Sequence, residues 1–211
     1  MAIIDLTLPV VPEEDDHPTL RTEEWHFTTG SEPFDALVHW YHHGSMVGTY
    51  IDFPGHIKET ADGFDAVSYP AERIFRVEST VVHLDRTDGS GAVSADELEQ
   101  AAPPVRGGGL VINALGATRF DGIEERSVWF AADALQWIAD QGVHLLVADI
   151  YESDIDPQNT FLNLFRAGIC TVCYPIELHR LEVPYVRLTA LPLRYPGAMQ
   201  IPCRLIAEIE G

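Results

Sequence analysis

The segment Val143-His144-Leu145-Leu146-Val147-Ala148-Asp149-Ile150 constrains the fold most. Its apolar side chains follow one another with little polar alternation. A strand built from it presents apolar residues on both faces, and both must be covered. Ahead of it, Ala131 to Gln141 has helical spacing, with Ala131, Leu135, Trp137 and Ile138 as buried candidates and Gly142 as the stop. A second apolar strand, Leu110 to Asn113, precedes that helix, which therefore reads as a crossover between two strands of one sheet. Further strands are predicted over 3–10, 25–29, 36–43, 77–84, 169–176, 186–193 and 203–209, and a second helix over 159–167. Strands outnumber helices and no repeat or linker divides the 211 residues, so the expectation is one mixed α/β domain over 1–211.

Local signals fill in the connections. Ser94-Ala95-Asp96-Glu97 predicts a short helix opened by a capping box, in which the serine caps one backbone donor and the glutamate reaches back. Gly107-Gly108-Gly109 lacks the spacing and the downstream lysine of a phosphate loop and reads as a tight turn. The segment 13–24 is polar, and its acidic run Glu13-Glu14-Asp15-Asp16 reads as a solvated loop. Lys58 to Phe64 is a polar loop with an Asp62-Gly63 turn. Along 36–43, His39, Tyr41 and His43 fall on one strand face and Trp40 and His42 on the other. These rings suit either a ligand pocket or a subunit contact; the two outer histidines are too far apart for an easy chelate.

A net charge of −20 argues against nucleic acid and anionic membrane surfaces as partners, since both need a positive footprint. The first residues lack the basic region of a signal peptide, and no apolar run approaches a membrane span. Three cysteines, an odd number without framework spacing, suggest a reducing, cytoplasmic setting. Cys170 and Cys173 sit on opposite faces of their predicted strand, which disfavours a redox pair.

The chemistry-bearing stretch is Gly48-Thr49-Tyr50-Ile51-Asp52-Phe53-Pro54-Gly55-His56. In a strand, Tyr50 and Asp52 share a face. Pro54 removes a donor and fixes the backbone, so the chain leaves the sheet and His56 stands on the exit. A phenol, a carboxylate and an imidazole are thereby gathered at a strand end. An ordinary strand end with surface polar residues is the plainer alternative.

The order of elements resembles the cyclase family, which includes bacterial kynurenine formamidase, isatin hydrolase and some aromatic-polyketide cyclases. The likeness begins at Ile4-Asp5-Leu6-Thr7 and continues through Gly48, Thr49, Asp52, Pro54 and His56, which match the signature H-x-G-T-H-x-D-x-P-x-H at those positions. It resumes at Gly142-Val143 to Asp149, and ends in Leu191-Pro192-Leu193 and Pro202-Cys203-Arg204-Leu205-Ile206-Ala207. The resemblance implies a swivelling β/β/α fold, a dimer or tetramer, and one or two divalent metals. It also implies metal ligands at Met46, Tyr50, Asp52, Phe161 and Cys173, of which only Asp52 keeps a ligand's identity. Met46, Asp52 and Cys173 would offer a thioether, a carboxylate and a thiol, a set that suits neither a soft nor a hard ion. The expectation is therefore no metal and no other cofactor.

Without a metal, nothing obvious generates hydroxide at neutral pH. What persists suits proton transfer beside a carbonyl. Asp52 and His56 serve as acid–base groups, Tyr50 donates to a developing oxyanion, and Met46, Thr49, Phe161 and Cys173 complete a substrate pocket. The leading expectation is a metal-independent cyclase or lyase acting on a small carbonyl-rich, polyketide-like substrate. A metal-dependent amide or lactam hydrolase of the kynurenine formamidase type and a non-catalytic binding member are the alternatives. A homo-oligomer is expected, with the ring-rich strand as a contact.

Overall fold

The computed structural model describes residues 1–12, 19–84, 86–87 and 89–209. Its strands, in chain order, are β1 (Ala2–Asp5), β2 (Thr19–Phe27), β3 (Phe34–His42), β4 (Tyr50–Asp52), β5 (Val77–His83), β6 (Gly91–Val93), β7 (Gly109–Asn113), β8 (Val128–Phe130), β9 (Leu145–Ala148), β10 (Cys170–Cys173), β11 (Tyr185–Pro192) and β12 (Gln200–Ile209). Three helices, α1 (Ala95–Ala101), α2 (Ala132–Asp140) and α3 (Thr160–Arg166), connect the parallel strands.

Eight strands form one mixed sheet in the order β1-β12-β11-β5-β7-β9-β10-β4, and β12 also pairs with β4. That last pairing closes the sheet into a barrel. The first residues of β12 bond to β4, its remaining length bonds to β1, and β11 runs along its other edge. The pairs β5–β7, β7–β9 and β9–β10 are parallel, each joined through a helix, as the crossover reading of α2 requires.

The apolar β9 segment shows why both faces count. Leu145 and Val147 enter one core with Ile51, Phe53, Val111 and Val172, inside the barrel. Leu146 and Ala148 enter a second core with Leu98, Leu135, Ile138 and Leu164 from the three helices. Fully burying such a side chain contributes about 1.5–3 kcal/mol, so both helix and barrel layers are held through this strand.

Three local expectations change. The strand expected from 25 begins at Thr19, so the polar residues 19–24 are the first part of β2, paired in register with β3 from Thr19–His42 to Phe27–Phe34. Their charged side chains are tolerated because the ribbon is solvent-facing; the acidic run 13–16 lies outside the described residues. Ser94 does cap α1, accepting from the Glu97 N–H at 3.3 Å. The Glu97 carboxylate, however, accepts from the Arg86 guanidinium instead of reaching back, because a charge-assisted pair is stronger than a neutral one. The rings of β3 line no cavity with the catalytic candidates; Trp40 and Tyr41 stand exposed. Among the described residues no helix is long and apolar enough to cross a membrane.

The Gly107 turn is sterically obligatory. Its φ is +72°, and a Cβ there would lie 2.1 Å from the Glu78 carbonyl oxygen. Gly107→Ala is expected to cost at least about 2 kcal/mol in denaturant unfolding, because strain and a backbone clash add.

Candidate active site

Strand β4 is only three residues long and wholly buried. Ile51 points into the barrel core, so alternation sends Tyr50 and Asp52 to the opposite side. Two neighbours hold them. On β10, Cys173 stands opposite Tyr50 and Thr171 opposite Asp52; on β12, Gln200 stands opposite Asp52. Phe53 donates its N–H to the Met199 carbonyl at 2.9 Å, then a 3₁₀ turn over Pro54–His56 takes the chain out of the sheet. His56 lies on that turn, as the proline predicts, with its ring edge-on to Phe165.

These elements border a cavity of about 820 Å3. Met46, Tyr50, Asp52, His56, Phe161 and Cys173 all line it. Thr49 does not. Its hydroxyl donates to the Tyr174 carbonyl at 2.7 Å and accepts from the Leu8 N–H at 2.7 Å. Buried and fully engaged, Thr49 ties the N-terminal segment to the site's floor, so the substrate-binding role expected of it is corrected to an anchoring one.

Asp52 dominates the electrostatics. It is 2% exposed, and among the described residues its Oδ1 has no hydrogen-bond partner. Its Oδ2 lies 3.9 Å from the Cys173 Sγ. Burial pushes the carboxyl up to about 7, against a smaller opposing effect of the nearby Gln200 amide and Cys173 thiol. Burial lowers the His56 pKa, which favours the neutral imidazole. Burial also raises Tyr50, so its phenol stays protonated, and raises Cys173 well above the ordinary thiol range. The Gln200 Nε2 sits 3.5 Å from the His56 Nε2, a long contact that links His56 to the strand facing Asp52.

Several lining residues were not singled out from sequence. Tyr151 lies just beyond Asp149-Ile150 at the end of β9, and Tyr174 directly follows β10; Tyr151 stacks on Phe161 at 5.2 Å, and Tyr174 meets Tyr50 edge-on at 5.7 Å. Aromatic residues at the ends of two predicted strands were the available signal. Gln200 and Arg126 carried none, since only the closure of β12 on β4 and the 119–126 loop bring them here. Asp149 accepts from the Ala114 and Leu115 N–H groups and the Asn113 amide, and its carboxylate is thereby committed to structure.

The donor set does not fit the divalent metal that the resemblance implies. Asp52 is joined by a thiol held in its protonated form, a phenol and an apolar ring, and His56 turns toward Gln200. Among the described residues no three His, Cys, Asp or Glu side chains are grouped so as to hold an ion.

The model of the Cyclase family matches residues 4–155. A structure described as a potential metal-dependent hydrolase with cyclase activity superposes with a TM-score of 0.69 at 19% identity, covering 100% of this chain and 99% of that one. Isatin hydrolase A from Labrenzia aggregata, bound to benzyl benzoate, gives 0.67 at 16% identity over 98% and 93% of the two chains. A structure described as a novel cyclase gives 0.71 at 17% identity over 99% and 88%. At these identities the likeness shows a shared fold. No match was found among curated proteins.

The raised Asp52 carboxyl has a consequence for stability. The folded state binds this proton more tightly than the unfolded chain, whose aspartate titrates near 3.8. Wild-type stability should therefore fall as pH rises from about 4 to about 7 and level off above. Asp52→Asn removes this burden. Thermal unfolding should show the variant more stable at pH 8, by on the order of a few kcal/mol, with the gap closing toward pH 4. A variant less stable at pH 8 would mean that unseen partners favour the ionised carboxylate.

Proposed function

The chain belongs to the Cyclase family, and from that premise we propose that it is a metal-independent cyclase or lyase working by acid–base catalysis on a small carbonyl-rich substrate of polyketide type. The observation that carries this reading is Asp52: a buried carboxylate facing a cavity, one oxygen unpartnered, poised to gain or lose a proton near neutrality. A base with that poise is matched to proton abstraction at physiological pH.

The step follows from the residues. Ionised Asp52 removes a proton from the carbon beside a carbonyl. The developing enolate oxygen accepts a hydrogen bond from Tyr50, whose phenol keeps its proton. Attack of the enolate carbon on a second carbonyl of the same molecule closes a ring. The new alkoxide takes back the proton held on Asp52, so none is gained or lost. Neutral His56 serves as a second proton acceptor at the cavity wall. Such help supplies about a hundred- to ten-thousandfold in rate, suited to an activated carbonyl compound and too little for a stable amide. Hydrolase chemistry is the second reading, favoured by the descriptions of the structural neighbours. A stoichiometric metal after purification would support it over the first.

We further propose a homo-oligomer, dimer or tetramer, assembled through the β2–β3 ribbon. Leu37 and Tyr41, on one face of β3, are 64% and 70% exposed, and Trp40 on the other face is 49% exposed. A two-stranded ribbon is marginal in water on its own, and an exposed apolar patch seeks a partner. A cytoplasmic setting fits the three free, buried cysteines.

Two measurements test these proposals. Deuterium exchange at the central carbon of a simple 1,3-diketone, followed by NMR, should be accelerated by the wild type, with the rate rising through pH about 7. Asp52→Asn should slow it about a hundred- to ten-thousandfold and His56→Ala by less; full rates in both variants would sink the acid–base reading. Light scattering should show a dimer or tetramer that Leu37→Glu combined with Trp40→Glu converts to monomer. A monomeric wild type would remove the ribbon interface.

A further inference from the structure

We propose that the ligand of this cavity is cationic: a protonated amine attached to a flat or aromatic body, its positive charge set against Asp52 among the surrounding rings. This rests on reading the cavity as the active site and adds the charge class of what enters it.

Three observations converge. First, the Asp52 Oδ1 is a buried acceptor without a donor. Leaving such an oxygen unpaired is costly, and a ligand N–H is the group that would satisfy it. Second, Tyr50, Phe120, Tyr151, Phe161 and Tyr174 line the cavity around this carboxylate. Tyr174 bridges two of them, 5.7 Å from Tyr50 and 4.7 Å from Phe120 between ring centroids. Aromatic faces carry negative potential and attract a desolvated cation. Third, the cavity offers no free positive group to an anionic ligand. Arg126 is the one Lys or Arg among its described lining residues, and it is already engaged by three carboxylates. It lies 3.3 Å from Glu152 and 3.8 Å from Glu125, and it donates to Asp154. Asp121, also on the rim, is held by Arg119 at 2.9 Å. Carboxylates outnumber guanidinium groups at the mouth, so its field draws cations and repels anions.

An ammonium group carried by the carbonyl substrate would give the Asp52 Oδ1 a donor, whereas a carboxylate or phosphate group would meet acidic walls. A cation satisfies both the floor and the rim.

Three matched probes test the charge class by isothermal titration calorimetry at pH 7: 4-hydroxybenzylamine as cation, 4-hydroxybenzyl alcohol as neutral analogue and 4-hydroxybenzoate as anion. The amine should bind about tenfold or more tighter than the alcohol, with the benzoate weakest. Asp52→Asn should erase most of the amine's advantage while leaving the alcohol's affinity within about twofold, which also shows that the variant's cavity is intact. Equal binding of amine and alcohol, preference for the benzoate, an advantage that persists in Asp52→Asn, or no amine binding at millimolar concentration would each overturn the inference. The diketone exchange assay is independent of it. Exchange without amine preference overturns the charge class alone, and amine preference without exchange overturns the acid–base reading alone.

Discussion

Everything at the candidate site depends on the closure of the sheet by three residues. Strand β4 is too short to stand as an edge, and it is held because β10 and the start of β12 bond it from both sides. β12 can do this because it is ten residues long and changes partner along one edge, from β4 to β1. Closure removes open strand edges and buries Tyr50, Ile51 and Asp52 together. Side-chain alternation then divides the labour, with Ile51 anchoring the barrel core while its two neighbours face the cavity.

Burial at this point sets a cost and a capability at once. A carboxylate in a closed sheet, with one oxygen unpartnered, resists ionisation. That resistance weakens the fold at neutral and higher pH and places the group's titration where a base is useful. Asp149 makes the contrast. Its carboxyl is also raised by burial, but three N–H donors occupy its oxygens and tie it to the β7 and β9 ends. Two aspartates whose ionisation burial opposes thus differ in their hydrogen-bond partners.

How much of this was legible in sequence depended on the range of the interaction. The two-faced strand around Leu145–Ala148, the α2 crossover and the proline-terminated exit to His56 are local patterns, and each appears where its residues predicted. The signature residues identified the wall of the cavity through Met46, Tyr50, Asp52, His56, Phe161 and Cys173. Thr49 was misread because its hydroxyl's partners, Leu8 and Tyr174, are distant in the chain. The β2 segment was misread because charged residues hide a strand when both faces meet solvent. Gln200 and Arg126 reach the cavity only through closure and a loop, which no periodicity encodes.

The same residues that break the metal-binding pattern also set the state of Asp52. An imidazole at position 161 would bring a polar, ion-binding group to the wall; Phe161 brings a ring that stacks on Tyr151. A carboxylate at position 173 would share an ion with Asp52; Cys173 instead offers a protonated thiol at 3.9 Å. Burial in this wall is what raises Asp52, and the Cys173 thiol and the Gln200 amide offset only part of the rise. Phe161, Cys173 and the raised aspartate thus belong to one closed, poorly solvated wall. With Arg126 already engaged by carboxylates, the unpartnered Asp52 oxygen stands in a described lining short of free positive charge.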